Sequence, residues 1–324
     1  AYSSIEFKID DKIKSVIGLR AENFVQKYTG ENSGGTVKYD DEKVIDKLDL
    51  FPSTNFIYSL NENSNLRFSY SKTTARPSFK EVSIAEIYDP LSNMTFNGNI
   101  DLKPSYIDNI DLRFELFGDQ SELFAVSGFY KSFKDPIELT YYESSTENFQ
   151  PRNLGDASVY GLEFEIRRQL SKAFGLNLNA SIIESRLDYG ISEFNLRTKG
   201  LRDGETLGEY RNLQGQSPFL INSSLDYKNE NGFNAGLFFN MQGKTLEVVG
   251  TGFAPDVYTH PFKSLNLNLS KLFGENKNKT VTVKIENLLD SKKESFYESF
   301  KSENKIFSFR DQGTTISVGY SLKL

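Results

Sequence analysis

Cysteine and tryptophan are absent from these 324 residues, histidine occurs once, and no stretch approaches the ~20 consecutive apolar residues of a membrane helix. Without cysteine there is no disulfide scaffold and no thiolate metal site. The one histidine, His260 beside Pro261, cannot build a histidine-rich metal centre, nor a Ser-His-Asp triad without other support. Its expected place is a surface or a rim. Positive charge is also short: the formal net charge is -6, which gives no basic face for nucleic acid. No leader precedes the first strand pattern, which starts directly after Ala1-Tyr2-Ser3-Ser4. For an exported protein, the true N-terminus is then expected to lie elsewhere. Missing helical spans leave membrane barrels open, because a barrel strand alternates lipid-facing and lumen-facing residues and has an ordinary mean hydropathy.

What the chain does have is aromatic side chains, 17 Tyr and 27 Phe, and period-two alternation. In 109–117, Ile110, Leu112, Phe114 and Leu116 oppose Asn109, Asp111, Arg113 and Glu115. In 160–167, Tyr160, Leu162, Phe164 and Ile166 oppose Gly161, Glu163, Glu165 and Arg167. The pattern recurs around Leu66, Phe68 and Tyr70, around Leu265, Leu267 and Leu269, and through 315–324. Helical spacing does not appear over comparable windows, so this is an all-β chain.

Connections carry further information. Short polar turns are expected near 10–12, 61–64, 118–121, 171–174, 229–232 and 274–278. Between them lie long polar stretches near 29–47, 72–106, 133–156, 188–217, 248–262 and 289–312. Strict alternation of short and long connections is the habit of an antiparallel up-and-down transmembrane β-barrel, with periplasmic turns on one rim and extracellular loops on the other. A soluble sandwich has no reason to sort its loops this way. About thirteen strands result. Bacterial single-chain barrels have even strand numbers, so an odd count predicts a partial barrel that needs further N-terminal strands. Charged side chains on a lipid face cost ~2–4 kcal/mol each for Arg or Lys at mid-bilayer. Arg20, Arg113 and Arg167 are therefore expected on the lumen side, near Glu22, Asp111, Glu115, Glu163 and Glu165.

An ordered set of motifs adds a family resemblance. Thr73-Thr74-Ala75-Arg76-Pro77-Ser78-Phe79 is followed by Gly98-Asn99-Ile100-Asp101-Leu102-Lys103-Pro104 and by Asn109, Asp111, Arg113 and Glu115. Phe129-Tyr130-Lys131, Pro136-Ile137-Glu138, Asn153 and Val159-Tyr160-Gly161-Leu162-Glu163-Phe164-Glu165 come next. Leu213-Gln214-Gly215-Gln216-Ser217-Pro218 and Glu286-Asn287-Leu288-Leu289-Asp290 complete the series. From about residue 13 to the end, this order resembles the C-terminal barrel half of a TonB-dependent outer-membrane receptor. The resemblance implies a 22-stranded barrel, of which residues 1–324 form the C-terminal portion. It also implies an N-terminal plug domain, coupling to the TonB machinery, and about nine further strands outside this sequence. The final residue is Leu324, where that family often ends in Phe.

No catalytic constellation is present, and no cofactor or metal ligand set is expected. Glu163 and Glu165 share a strand face as a consequence of period two, with no nucleophile near them. Gly34-Gly35 and Gly250-Thr251-Gly252 open no helix after a strand and are not phosphate loops. Asp40-Asp41-Glu42 with Asp46 and Asp49 lacks the spaced oxygen pattern of an EF-hand. Loop aromatics Tyr88, Phe96, Tyr141, Tyr142, Phe253 and Tyr258 are the candidate substrate contacts, although loop aromatics also pack against each other. The leading expectation is an outer-membrane receptor importing a metal chelate, a glycan or a peptide. A barrel scaffold subunit of an outer-membrane assembly or secretion complex is the alternative. A passive porin ranks below both, and an enzyme last. Lipid of the outer membrane, the remaining barrel strands, the plug and TonB are the expected partners.

Overall fold

The computed structural model describes residues 1–90, 93–142, 145–251 and 254–323. Among the described residues thirteen antiparallel strands, paired in chain order, make one large wall, and a two-residue strand, Tyr210–Arg211, adds to it at Leu187 and Asp188. Its first half is β1 (Tyr2–Lys8), β2 (Ile13–Glu31), β3 (Lys38–Asn61), β4 (Ser64–Ala75), β5 (Ser105–Phe117) and β6 (Leu123–Lys134). The second half is β7 (Ala157–Gln169), β8 (Phe174–Asp188), β9 (Phe219–Lys228), β10 (Phe233–Gln242), β11 (Phe262–Phe273), β12 (Lys279–Glu286) and β13 (Thr315–Leu322). Among the described residues β1 and β13 end the sheet and do not pair with each other.

All six short turns form where expected, and their own side chains close them. The Asp10 carboxylate accepts from the Lys12 and Ile13 amides at 2.8 and 2.7 Å. Asn229 accepts from the Phe233 amide at 3.0 Å, and Gly232 supplies the positive φ of 76° that the turn requires. One long connection is corrected. Residues 29–47 were expected as a loop, yet β2 and β3 run on to Glu31 and back from Lys38. From the Lys27–Lys43 pair outwards their extension is polar apart from Tyr28 and Tyr39, whose rings meet edge-on at 6.1 Å, and a strand surrounded by water needs no apolar face to keep its ladder. Ion pairs such as Lys27–Asp41 (2.5 Å) span it.

Register sorts the two faces of the wall. Phe68, Leu112, Gly128, Leu162 and Ile182 stand side by side on adjacent strands, facing outwards. Leu112 is 50% exposed, whereas Glu115 on the inner face is 7% exposed. That inner face carries a chain of charges. Arg67 and Arg113 are directly opposed across β4 and β5, an arrangement that repels by itself. Glu115 resolves it by accepting from Arg67 at 3.2 Å and from Arg113 at 2.8 Å. Arg113 reaches Glu165 at 2.7 Å, and Glu165 lies 3.6 Å from Arg167. Nearer the long loops, Arg76 joins Glu22 (2.7 Å) and Asp49 (3.3 Å).

The long connections, expected as loops, fold into a rim of their own. One four-stranded sheet orders Glu86–Asp89, Met94–Asn97, Ser145–Asn153 and Ile137–Tyr142. Its Met94–Asn97 and Ser145–Asn153 pair is parallel, an exception to the antiparallel meander. A second sheet orders Thr245–Val248, Asp256–Thr259, Lys293–Glu298 and Lys305–Arg310. A bridge between Thr140 and Val249 joins the two. Gln214 reinforces it, accepting from the Leu139 amide at 2.6 Å and donating to the carbonyls of Leu139 and Glu247 at 2.9 and 2.6 Å.

Beside Gln214 lies a buried ion-pair cluster drawn from three loops. Arg211 makes a bidentate contact with Glu138 (2.6 and 2.9 Å) and also reaches Glu193 at 2.7 Å. Glu193 sits on helix α1 (Ile191–Lys199), where Arg197 binds it at 2.8 Å and continues to Asp256 at 2.8 Å. Burial opposes charge on Asp256, but Arg197 overrides it and holds the carboxyl below its usual range. Burial likewise acts against the Arg211 charge, and Glu138 and Glu193 hold its guanidinium above the usual value.

A lipid-restricted thiol probe should label Leu112→Cys and Phe114→Cys more strongly than Asp111→Cys and Arg113→Cys; the reverse order would overturn the register. Replacing Arg211 by methionine strands buried Glu138 at a cost of about 3–5 kcal/mol. Loop proteolysis in micelles should then accelerate by about a hundredfold or more. Apolar replacement of Arg211, Glu138 and Glu193 together should recover most of the loss. Because Asp256 is held low, its contribution is complete above about pH 4 and fades only as pH falls through the lowered value. Proteolysis of the unmutated rim should therefore stay flat between about pH 5 and about pH 8.

Candidate functional site

Over the junction of the two rim sheets lies a cleft of about 730 Å³. That volume is within the range of small-molecule pockets, ~300–1,000 Å³. Met94, Phe96 and Phe149 of the first sheet form one side, and Phe307 and Phe309 of the second form another. Beneath it is the rim's hydrophobic core, where Tyr141, Phe149, Val248, Ala254 and Val257 are buried together. The rings of Phe149 and Phe307 meet across the sheets at 6.2 Å in an edge-on contact.

Local sequence positions the polar groups. Arg76-Pro77-Ser78 follows the end of β4, and Ser78 caps the turn Phe79–Val82 in a reciprocal box with Glu81. This sets Lys80 so that its ammonium lies 4.4 Å above the Phe96 ring, an energetically favourable cation–π placement. Gly98 passes so close to this turn that a Cβ would lie 1.9 Å from the Ser83 carbonyl oxygen, which excludes any other residue there. Glu247, at the far side, accepts from the hydroxyls of Thr259 (2.7 Å) and Ser295. Asp89 and Arg310 also line the cleft. Neither Lys80 nor Arg310 has an ion-pair partner among the described residues.

Of the six loop aromatics, Phe96 lines the cleft, and Tyr88 stands 58% exposed on the neighbouring strand. Tyr141 is fully buried, part of the core rather than of the surface, and burial pushes its phenol well above the usual value. Tyr142 is partly exposed at the end of its strand. Tyr258 lies under Lys244 at 4.4 Å, its phenol pushed up by burial and then by Asp256. Phe253 is outside the described residues. His260 is on the rim, 3.1 Å from Glu298 and stacked near Phe296. Among the described residues no group of three His, Asp or Glu side chains is placed to hold a metal ion.

Phe307, Phe309 and Arg310 were missed by the sequence reading. The signal was present: Lys305-Ile306-Phe307-Ser308-Phe309-Arg310 is a short apolar run within a stretch read as a polar loop. Lys80 carried no such signal, because only the capped turn places it against Phe96.

Comparison with known proteins agrees with this architecture. A model of the outer membrane protein beta-barrel family matches residues 1–322. No curated protein matches the chain in sequence. Among solved structures, the ferric enterobactin receptor of Pseudomonas aeruginosa is 14% identical with a TM-score of 0.63, over 99% of this chain and 44% of that one. The ferric yersiniabactin uptake receptor of Yersinia pestis is 16% identical with a TM-score of 0.66, over 99% and 44%. The copper transporter OprC is 14% identical with a TM-score of 0.69, over 99% and 47%. The chain thus spans less than half the length of these structures, and at such identities they establish a shared fold. The chain belongs to the outer membrane protein beta-barrel family, and its wall lies in the outer membrane.

Proposed function

We propose that this chain is the C-terminal barrel portion of a TonB-dependent receptor that imports a nutrient across the outer membrane. The folded rim carries the reading: long connections gather into two joined sheets and enclose a cleft, above a wall whose inner face is lined by paired charges. Charge on the inner face calls for a hydrated lumen beneath a structured mouth. The solved structures of similar fold, two of them receptors for ferric compounds and one a copper transporter, support the analogy at the level of fold. Their greater length, with the unpaired sides of β1 and β13, supports further wall strands, a plug and a TonB contact in the remainder of the protein. The cargo is a metal chelate, a glycan or a peptide. A scaffold subunit would need no ordered apolar cleft at its mouth, and the cleft therefore favours a receptor.

Cells lacking the gene should lose uptake of one of these nutrient classes when ferric chelates, copper, oligosaccharides and peptides are offered in turn. The same uptake should disappear in cells that keep the gene but lack TonB. Uptake that persists without TonB, or a deletion that changes uptake of none of the four, would overturn the reading.

A further inference from the structure

Among the described residues the edge strand Lys305–Arg310 is paired on one side only, to Lys293–Glu298, and ends its sheet. Phe307, Ser308, Phe309 and Arg310 all border the cleft. Consecutive strand residues point to opposite faces, except at the bulge that Phe307 makes opposite Ser295 and Phe296. Beyond the bulge Ser308, Phe309 and Arg310 keep a regular register, and a cleft that meets all three meets the strand along its edge, where unpaired N–H and C=O groups stand. An open edge of this kind is a template for another strand. Facing it across the cleft is the apolar surface of Met94, Phe96 and Phe149.

The geometry points to an extended, short peptide as the ligand of this cleft, added as a further strand to the free edge of Lys305–Arg310. The inference rests on the receptor reading above and specifies its cargo. Backbone pairing supplies the attachment, and alternate apolar side chains turn towards Met94 and Phe96, which is how strand addition combines affinity with specificity. The charges fit the same ligand. Arg310 ends the edge strand, Lys80 stands over Phe96, and among the described residues neither is ion-paired, although Asp89 and Glu247 line the same cleft. A free peptide carboxylate supplies a partner. A sugar offers no row of alternating amide donors and acceptors to such an edge.

The test uses the full-length receptor in nanodiscs and, as probe, a pentapeptide of alternating valine and threonine with a free carboxylate. Hydrogen exchange should show the outward-pointing amides of 305–310, those that do not bond Lys293–Glu298, unprotected without peptide and protected with it. Arg310→Gln should weaken binding by about tenfold, and amidation of the peptide carboxylate should do the same. Methylating alternate backbone nitrogens of the peptide should abolish binding. Equal binding of the methylated peptide, no binding of the pentapeptide, or full protection of 305–310 before peptide is added would each overturn the inference. In the last case another part of the receptor covers the edge. Failure here with TonB-dependent uptake of a chelate or sugar intact overturns the peptide and leaves the receptor standing. Peptide binding with uptake independent of TonB supports the strand addition and overturns the receptor.

Discussion

A backbone amide inside hydrocarbon has no water to bond, so its only partner is another strand. Nearly everything in the wall descends from that condition. Strands pair with their sequence neighbours whether a short turn or a long connection joins them, because an unpaired edge cannot be left in hydrocarbon. Side chains then have two environments and no choice between them. Leu112 and Ile182 go out and Glu115 goes in, and the inward charges are close enough to neutralise one another across strands. Once the ladder is above the bilayer the condition lapses, and β2 and β3 continue as a ribbon that is mostly polar.

Many residues of the motif series turn out to be ties between connections. Arg76 fastens the end of β4 to β2 and β3 through Glu22 and Asp49. Asn99 donates to the Pro151 carbonyl, and Asn153 binds both the Lys103 and Asp135 carbonyls. Asn287, with a positive φ of 55°, accepts from the Ser291 amide and donates to the Gly313 carbonyl. Gln214 performs this office between the two rim sheets. A motif of ties identifies an architecture, and it is silent about what the architecture holds.

That difference explains how far the sequence could be read. Strand positions, turns and faces were legible because each depends on spacing along the chain: Asp10 closes its turn within three residues, and Ile110 to Leu116 alternate without interruption. The rim was not legible, since its contacts join residues far apart in sequence. Arg211 meets Glu138 across 73 positions, and nothing near either residue announces the other. Polar composition led 188–217 to be read as plain loop, although its charges are buried against each other. Tyr141 shows the same limit: the sequence offers an aromatic in a loop, and only the second sheet decides that it is covered.

The bolting of three loops around Arg211 also bears on timing. Side chains and backbone of these three loops have surrendered their freedom during folding. If the chain serves the proposed uptake, a ligand would meet them already ordered, and their ordering would not oppose binding. Any large displacement that passage needs would then fall to parts of the receptor that this cluster does not clamp.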